Sequence, residues 1–292
     1  PGQQSTIFTR GTNGSQTKVL LDGIPLNDPS SPNRAFDPAN FLLDNVQRIE
    51  VIRGPQSTIY GSDAIGGVVN IVTRRGEGPA QVRTTHEGGS FGTYSQATTI
   101  SGSTENFWYS LSGAWFTSDG FSAVSAGTED DGYENGTLSG RVGALLTDEW
   151  DFDVSWRYVD SDVDLDGFMA DAARNLDNEQ FFLRAQTTVT QLDGMLEHRA
   201  GYSFASYKRD DRGGFQSFFD GESHQFDYQA KLTTFDDGCF KHSVTGGVEH
   251  IHEDILQDTS SMFIFFPAAA SQFGTGGFVE NQFAVNDRWF TT

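Results

Sequence analysis

The sequence predicts a mainly β protein in which an antiparallel, membrane-spanning β-barrel follows a small α/β domain. Two observations support this prediction. From about residue 80 onward, apolar and polar residues alternate with a period of two, whereas the residues before it mix short apolar runs with turn residues. We therefore divide the chain into residues 1–78 and residues 79–292, and its length suffices for two domains.

The composition limits the function classes. The chain has 40 acidic and 19 basic residues and a net charge of −21, so a nucleic acid is an unfavourable partner. No apolar run approaches the roughly 18 residues that a membrane helix requires, which excludes a helical membrane protein. A transmembrane strand needs only about 10 residues and exposes every second one to lipid, so a polar average composition is compatible with a barrel.

Short apolar runs separated by glycine define the first region. Strands are predicted at Val19–Leu21, Arg48–Ile52 and Val68–Val72, and a helix is predicted at about Pro38–Asn45. Residues 74–79 are rich in glycine and charge and are predicted to form a linker.

Strict alternation defines the second region. One predicted strand face carries Trp150, Phe152, Val154, Trp156 and Tyr158; others carry Phe107, Tyr109, Leu111 and Trp115, or Leu138, Val142, Ala144 and Leu146. Further strands are predicted at 81–86, 94–101, 181–191, 195–207, 225–235, 242–251 and 278–285. That makes about ten strands, with tight turns such as 147–149 and long polar loops at 119–136 and 160–178, as in an outer-membrane barrel.

A soluble β-sandwich is the alternative to this barrel. Aromatic residues near strand ends and charged residues in mid-strand on the opposite face favour the barrel, because lipid interfaces attract aromatic side chains. The chain has no initiator methionine and ends after Trp289 without a closing strand. We therefore expect it to be part of a longer protein.

Four ordered blocks carry a family resemblance. They are residues 7–13 (IFTRGTN), 19–27 (VLLDGIPLN), 46–55 (VQRIEVIRGP) and 60–71 (YGSDAIGGVVNI). This sequence resembles the plug domain and first barrel strands of TonB-dependent outer-membrane transporters, with the cobalamin transporters as the nearest subfamily. The resemblance implies a barrel of 22 strands around the plug, of which only about ten are present.

The resemblance also implies a location in the Gram-negative outer membrane, energy supplied by the protein TonB, and import of a scarce large nutrient. Cobalamin is the leading ligand; a ferric siderophore or haem is the alternative, and a passive channel or adhesin is a second alternative. Contact with outer-membrane lipid follows from the barrel. No catalytic motif is recognisable, so we expect no enzymatic activity and no required cofactor.

Candidate ligand-binding residues follow from the resemblance, which places the plug apices at the start of the chain and in the loop 27–33. The candidates are Ser5, Thr6, Asn27, Asp28, Ser31 and Asn33. Arg48, Glu50 and Arg53 are expected to be half-buried charges, costly unless paired. We predict that they lock the plug to carboxylates on the barrel wall, in a structural or a gating role.

Two further groups of residues are candidate metal sites. Acidic residues far outnumber arginines between Asp119 and Asp177, and clustered carboxylates suit Ca²⁺ or form a solvated acidic rim. By resemblance, Glu134, Asp166 and Asp177 match calcium ligands, and Asp130 and Asp131 could replace the aspartates that the family has at Ser122 and Gly132. His250 and His252 could bind a transition metal or the edge of a corrin or haem, although ordinary barrel histidines are the simpler interpretation.

Overall fold

The computed structural model describes the whole chain except residues 1, 3, 62, 123, 125–128, 167–173, 214–215, 237, 261–264, 287–288 and 292. Two sheets are present in it. The smaller sheet consists of β1 (Thr17–Leu21), β2 (Ile24–Pro25), β3 (Val46–Arg53) and β4 (Gly67–Thr73), in the order β2-β1-β4-β3, and a single turn of helix, α1 (Ser57–Tyr60), lies between β3 and β4. We call residues 2–75 the plug.

The plug sheet is held by its two central strands. β1 pairs in parallel with β4 and is buried along its whole length, and β4 pairs antiparallel with β3. Val19, Leu21 and Ile24 are almost fully buried. Their core includes Phe182 and Tyr207 from the larger sheet, so the barrel wall completes the plug's own hydrophobic core.

All three plug strands predicted from the sequence are confirmed, whereas the predicted helix at Pro38–Asn45 is wrong. Only a 3₁₀ turn forms there, at Pro38–Asn40. The Asp37 carboxylate accepts a hydrogen bond from the amide of Ala39 at 3.0 Å and caps this turn. The chain then becomes extended at Phe41, whose ring lies under the guanidinium of Arg157 from the barrel.

The larger sheet contains eleven antiparallel strands in sequential order. They are β5 (Gln81–Gly88), β6 (Tyr94–Ser103), β7 (Phe107–Ser118), β8 (Tyr133–Thr147), β9 (Trp150–Leu165), β10 (Arg174–Gln191), β11 (Leu196–Arg212), β12 (Gln216–Asp236), β13 (Phe240–Ser260), β14 (Phe265–Val285) and β15 (Trp289–Thr291). The mainly β fold and the roughly ten predicted strands are confirmed.

The two faces of this sheet have the predicted alternation. In β9 the alternate residues Ser155, Arg157 and Val159 are buried against the plug, whereas Phe152 on the opposite face is exposed. Cross-strand pairing aligns this inward face from β7 to β14. The outward face therefore carries the aromatic residues, as a lipid-facing surface requires.

The later strands are longer than their predicted segments. β10 begins at Arg174 instead of residue 181, and β13 continues to Ser260 instead of ending at residue 251. Most residues in these extensions are polar, and the apolar neighbours Ile255 and Leu256 point to opposite faces, so the extensions lack the alternation that identifies a lipid-facing strand. They lie at the end of the sheet where β7 connects to β8 and β9 connects to β10.

In the described part of the chain, no helix combines the length and apolar character needed to cross a membrane.

Candidate functional site

Among the described residues, four ion pairs connect the plug to the inward face of the barrel. They are Asp22–Arg141 at 3.3 Å, Asp28–Arg209 at 3.4 Å, Asp44–Arg157 at 3.3 Å and Arg34–Glu253 at 2.8 Å. In three of the four pairs the plug supplies the carboxylate and the barrel supplies the arginine. The sequence-based prediction had the opposite polarity, with plug arginines bound to barrel carboxylates.

The Asp44–Arg157 pair is the most deeply buried. The Arg157 side chain is only 1% exposed and that of Asp44 only 2%. Arg157 also donates a hydrogen bond to the carbonyl of Leu42 at 2.5 Å, and its guanidinium lies 4.1 Å from the centre of the Phe41 ring. Because both charges are removed from water, loss of either partner would leave an uncompensated buried charge.

A second pair binds the turn between β1 and β2. Asp22 and Gly23 both have positive φ, at 51° and 92°, which closes a tight two-residue turn. The Asp22 carboxylate accepts hydrogen bonds from the amide of Thr73 at 2.9 Å and from its hydroxyl at 2.6 Å. Burial raises the pKa of Asp22, although Arg141 acts in the opposite direction.

The same contacts extend to the linker that leaves the plug. Arg141 donates to Asp153 at 3.0 Å, and the indole N–H of Trp108 donates to the same carboxylate at 3.1 Å. The guanidinium of Arg75 lies 3.6 Å from the centre of the Trp108 ring, a cation–π contact. The end of the plug is thus fixed to β7, β8 and β9.

Three of the six candidate ligand-binding residues are buried in the loop 27–34. Asn27, Asp28 and Ser31 are between 5% and 7% exposed. Asn27 donates to the carbonyl of Arg34 at 3.0 Å, and Asp28 accepts from the amide and hydroxyl of Ser30 at 2.8 and 2.6 Å. These polar groups stabilise the loop and its contact with the barrel, which makes them poor ligand contacts in this conformation.

The other three candidates are more accessible. Asn33 and Ser5 are exposed, and Thr6 is half-buried. The Ser5 amide donates to the Asp37 carboxylate at 2.9 Å, and burial raises the pKa of Asp37. Ligand contact stays a prediction for all six candidates.

Arg48, Glu50 and Arg53 do not form the expected lock in the described residues. Arg48 donates to Glu50 at 2.6 Å, and the two side chains are 54% and 41% exposed. Glu50 also accepts from Asn70 at 3.0 Å, and Arg53 is exposed. The reason is topological: β3 is the edge of the plug sheet opposite β2, the strand that contacts β10 and β11.

The predicted calcium ligands are separated into different contacts. Asp166 accepts from the amide of Val124 at 2.8 Å and from the hydroxyl of Ser122 at 3.3 Å, and Asp177 pairs with Arg212 at 2.7 Å. Glu134 and Asp130 are exposed, and Asp131 is half-buried. No group of three or more metal-ligating side chains occurs among the described residues, and residues 167–173 of the second loop lie outside them. Calcium binding stays a prediction.

His250 and His252 lie on the outward face of β13. His250 is hydrogen-bonded to Thr275 at 2.8 Å and His252 to Ser271 at 3.0 Å. Together with His224 and Phe226 they line an open groove on the outer surface. They face away from the plug, so they do not contribute to a ligand site in the barrel lumen.

A polar cavity of about 680 Å³ separates the plug from the wall formed by β10 to β14. Its lining combines Lys18 and Asp22 of the plug with Arg184, Asp227 and Glu249 of the barrel. Arg184 pairs with Asp227 at 2.8 Å beside the β1–β2 turn. A lining of both charge signs suits the passage of a hydrophilic molecule.

Sequence reasoning missed the barrel partners of the plug. Arg141 and Arg157 lie on faces predicted to be polar, but the sequence does not specify which plug residue each one meets. The partners are 119 and 113 residues away, respectively, and Glu253 is 219 residues from Arg34. An inward-facing arginine in a barrel strand is the signal that could have identified them.

Comparison with known proteins gives two results. Residues 1–68 match the family model "TonB-dependent Receptor Plug Domain". In fold, the chain is similar to the siderophore receptor PiuA from Acinetobacter baumannii (13% identity, TM-score 0.75, 99% of this chain and 51% of that one). It is also similar to the siderophore receptor PirA from Pseudomonas aeruginosa (22% identity, TM-score 0.68, 94% of this chain and 46% of that one). A third similar structure is the alcaligin outer-membrane receptor FauA from Bordetella pertussis (18% identity, TM-score 0.73, 91% of this chain and 44% of that one). The chain spans about half the length of these proteins.

Proposed function

We propose that the complete protein, of which this chain is a TonB-dependent receptor plug with its adjoining outer-membrane barrel strands, imports a ferric siderophore. The membrane is the outer membrane of a Gram-negative bacterium. Two of the three similar structures named above, PiuA and PirA, are siderophore receptors by description, which supports this ligand class. The proposed role is transport, without catalysis.

The docked plug is the observation that carries the proposal. It is held on the inward face of β8 to β13 by four ion pairs, two of which have a side chain less than 5% exposed on the plug side. A domain held in this way obstructs free diffusion through a barrel, so passage requires the plug to move. In this proposal TonB, reaching across the periplasm, supplies the work.

The ligand assignment rests on different grounds from the transport assignment. Fold alone does not determine substrate, because one architecture hosts many ligands. The resemblance of the sequence blocks favours cobalamin. The similarity in fold to siderophore receptors favours a ferric complex, which is the ligand that we propose. The mixed charges of the lumen cavity, such as Lys18 and Asp227, suit a hydrophilic metal complex.

Uptake in a receptor-deficient Gram-negative strain tests both assignments. The full-length protein would be expressed with and without functional TonB, and cells would receive radiolabelled iron as the citrate, trihydroxamate or tris-catecholate complex, or radiolabelled cyanocobalamin. We expect TonB-dependent uptake of one iron complex. TonB-dependent uptake of cyanocobalamin alone would reassign the ligand, and uptake that does not need TonB would favour a passive channel.

A further inference from the structure

Lys18 is a buried lysine in the central part of the plug sheet. It is only 8% exposed and lies in β1 opposite Val68 of β4. Strand alternation puts Leu20 on the same face, and Leu20 and Val68 belong to one buried apolar cluster. A cation in such surroundings is costly unless an anion or several hydrogen bonds compensate it.

The contacts of the Lys18 ammonium group compensate its charge only in part. It donates to the backbone carbonyl of Tyr60, the last residue of α1, at 2.7 Å. Because an ammonium group has three N–H donors, two remain for another acceptor. Among the described residues, no carboxylate lies within 4.0 Å of the ammonium nitrogen. The carbonyl of Tyr60 therefore satisfies one donor and leaves the charge without a counter-ion.

Lys18 differs in this respect from the buried arginines around it. Lys18, Arg141 and Arg184 all line the polar cavity between the plug and β10 to β14. Arg141 pairs with Asp22 at 3.3 Å and with Asp153 at 3.0 Å, and Arg184 pairs with Asp227 at 2.8 Å. Of these three cations, Lys18 alone lacks a carboxylate partner in the described part of the chain.

The lining of the cavity as a whole has a small excess of positive charge. Five of the described lining side chains are basic and four are acidic. One carboxylate group would balance this excess. A phosphate monoester carries about −1.5 to −2 charges at pH 7 and fits the balance less well.

Gly61 leaves the Lys18 ammonium group open toward the cavity. This glycine follows α1 with a φ of 85°, and a Cβ atom there would lie 3.8 Å from the ammonium nitrogen. Gly61 and Lys18 both line the cavity, whose volume of about 680 Å³ is far larger than a single carboxylate. A ligand oxygen therefore has access to the donors that Tyr60 does not use.

We propose that Lys18 is the anion-binding residue of a subsite in this cavity, and that the subsite takes the carboxylate group of a hydrophilic ligand. The inference deepens the proposed function and rests on it for the identity of the cargo, a ferric complex that carries a carboxylate. Binding of the carboxylate itself is measurable without transport.

Equilibrium dialysis of the full-length protein in detergent, against radiolabelled citrate at low ionic strength, tests the subsite. Lys18→Met removes both the charge and the hydrogen bond to Tyr60, whereas Lys18→Gln removes the charge and keeps an N–H donor. Lys208→Met is the matched control, because this lysine lies on β11 outside the cavity lining and its side chain is 45% exposed. Unlabelled propane-1,2,3-tricarboxamide, a neutral analogue, and inorganic phosphate serve as competitors.

We expect the wild type and Lys208→Met to bind citrate with dissociation constants within twofold of each other. Both Lys18 variants should bind it at least tenfold more weakly, and added salt should weaken the wild-type binding. The neutral amide should not displace citrate. Wild-type affinity in Lys18→Gln would show that only the hydrogen bond to Tyr60 matters, and tighter binding of phosphate than of citrate would reject the carboxylate class. Either result would overturn the proposal.

Acetylation of the wild-type protein with acetic anhydride decides the question even if the Lys18 variants do not fold. The modification rates at Lys18 and Lys208 would be measured by mass spectrometry with and without citrate. We expect citrate to slow the reaction at Lys18 at least threefold and to leave Lys208 unchanged. A rate at Lys18 that citrate does not alter would reject the subsite, as it would if another part of the full-length barrel supplied the counter-ion.

The outcomes for the subsite and for transport are separable. TonB-dependent iron uptake by a protein that shows no Lys18-dependent citrate binding would retain the transport proposal and reject the subsite. Lys18-dependent citrate binding without uptake of any iron complex would retain the subsite and reject the ferric cargo.

Discussion

The two sides of the plug carry similar charges but give them different partners. Toward β8 to β13, Asp22, Asp28 and Asp44 each meet a barrel arginine. At β3, on the other edge of the sheet, Arg48 and Glu50 pair with each other and remain exposed. The difference teaches that, within the described residues, the plug charges that pair with this part of the barrel wall are distinguished by their position in the plug sheet and not by the kind of residue.

The largest effect is expected at Asp44. Replacing it with Ala leaves Arg157 buried and unpaired, which should lower the free energy of plug docking by about 3–5 kcal/mol. The urea midpoint of plug release would be followed by the fluorescence of Trp108, the β7 residue that contacts Arg75 at the end of the plug, with the other four tryptophans replaced by phenylalanine. Asp44→Ala combined with Arg157→Met should recover part of the loss; a single substitution without effect would mean that water reaches this pair.

A smaller effect is expected at Gly221. Gly221→Ala places a methyl group against Pro29 and Ser30 and should cost about 1–3 kcal/mol of docking free energy through overpacking. Gly276→Ala is the matched control, because a Cβ there meets nothing within 4 Å. Equal urea midpoints for the two variants would show that the loop can withdraw from β12 at little cost.

The pair on β3 should contribute less. A double-mutant cycle on Arg48 and Glu50 should give a coupling of about 0.2–1 kcal/mol, as for other exposed pairs. The same cycle on Asp28 and Arg209 provides the comparison, with a larger coupling expected for the more buried pair. A β3 coupling above that range would show that this pair is buried in the full-length protein.

Asp22 and Glu50 should make stability depend on pH in opposite directions. Burial raises the pKa of Asp22 above its ordinary 3.8, so the docked state binds more protons and the stability from this group falls as pH rises through the raised pKa. For Glu50 the hydrogen bond from Arg48 lowers the pKa below its ordinary 4.5. The stability that Glu50 contributes is therefore present above pH 4.5 and is lost as the pH falls through the lowered pKa. The urea midpoint would be measured at several acidic pH values and plotted against pH. Compared with the wild type, the slope of this plot should change in opposite directions in Asp22→Asn and Glu50→Gln. A change in the same direction in both variants would contradict these pKa shifts.

The membrane-facing parts of the barrel were predictable from local pattern. The alternation at Trp150–Val159 identified both faces of β9, because each strand residue points opposite to its neighbour whatever the rest of the chain does. The extensions of β10 and β13 were not predictable, since most of their residues are polar and no period-two pattern distinguishes them from loops. The helix expected at Pro38–Asn45 failed because Asp37 and the contact with Arg157 hold this segment in another form.

By itself, the sequence determined the fold class: short apolar runs separated by glycine up to about residue 73, followed by strands with one apolar face. Only the tertiary structure decided which charges hold the plug. Arg157 meets Asp44 and Arg34 meets Glu253 across 113 and 219 residues, and the loop residues Asn27, Asp28 and Ser31 are buried. The physical reason is that alternation is a property of neighbouring residues, whereas the pairing of buried charges depends on how the barrel strands position distant residues around the plug.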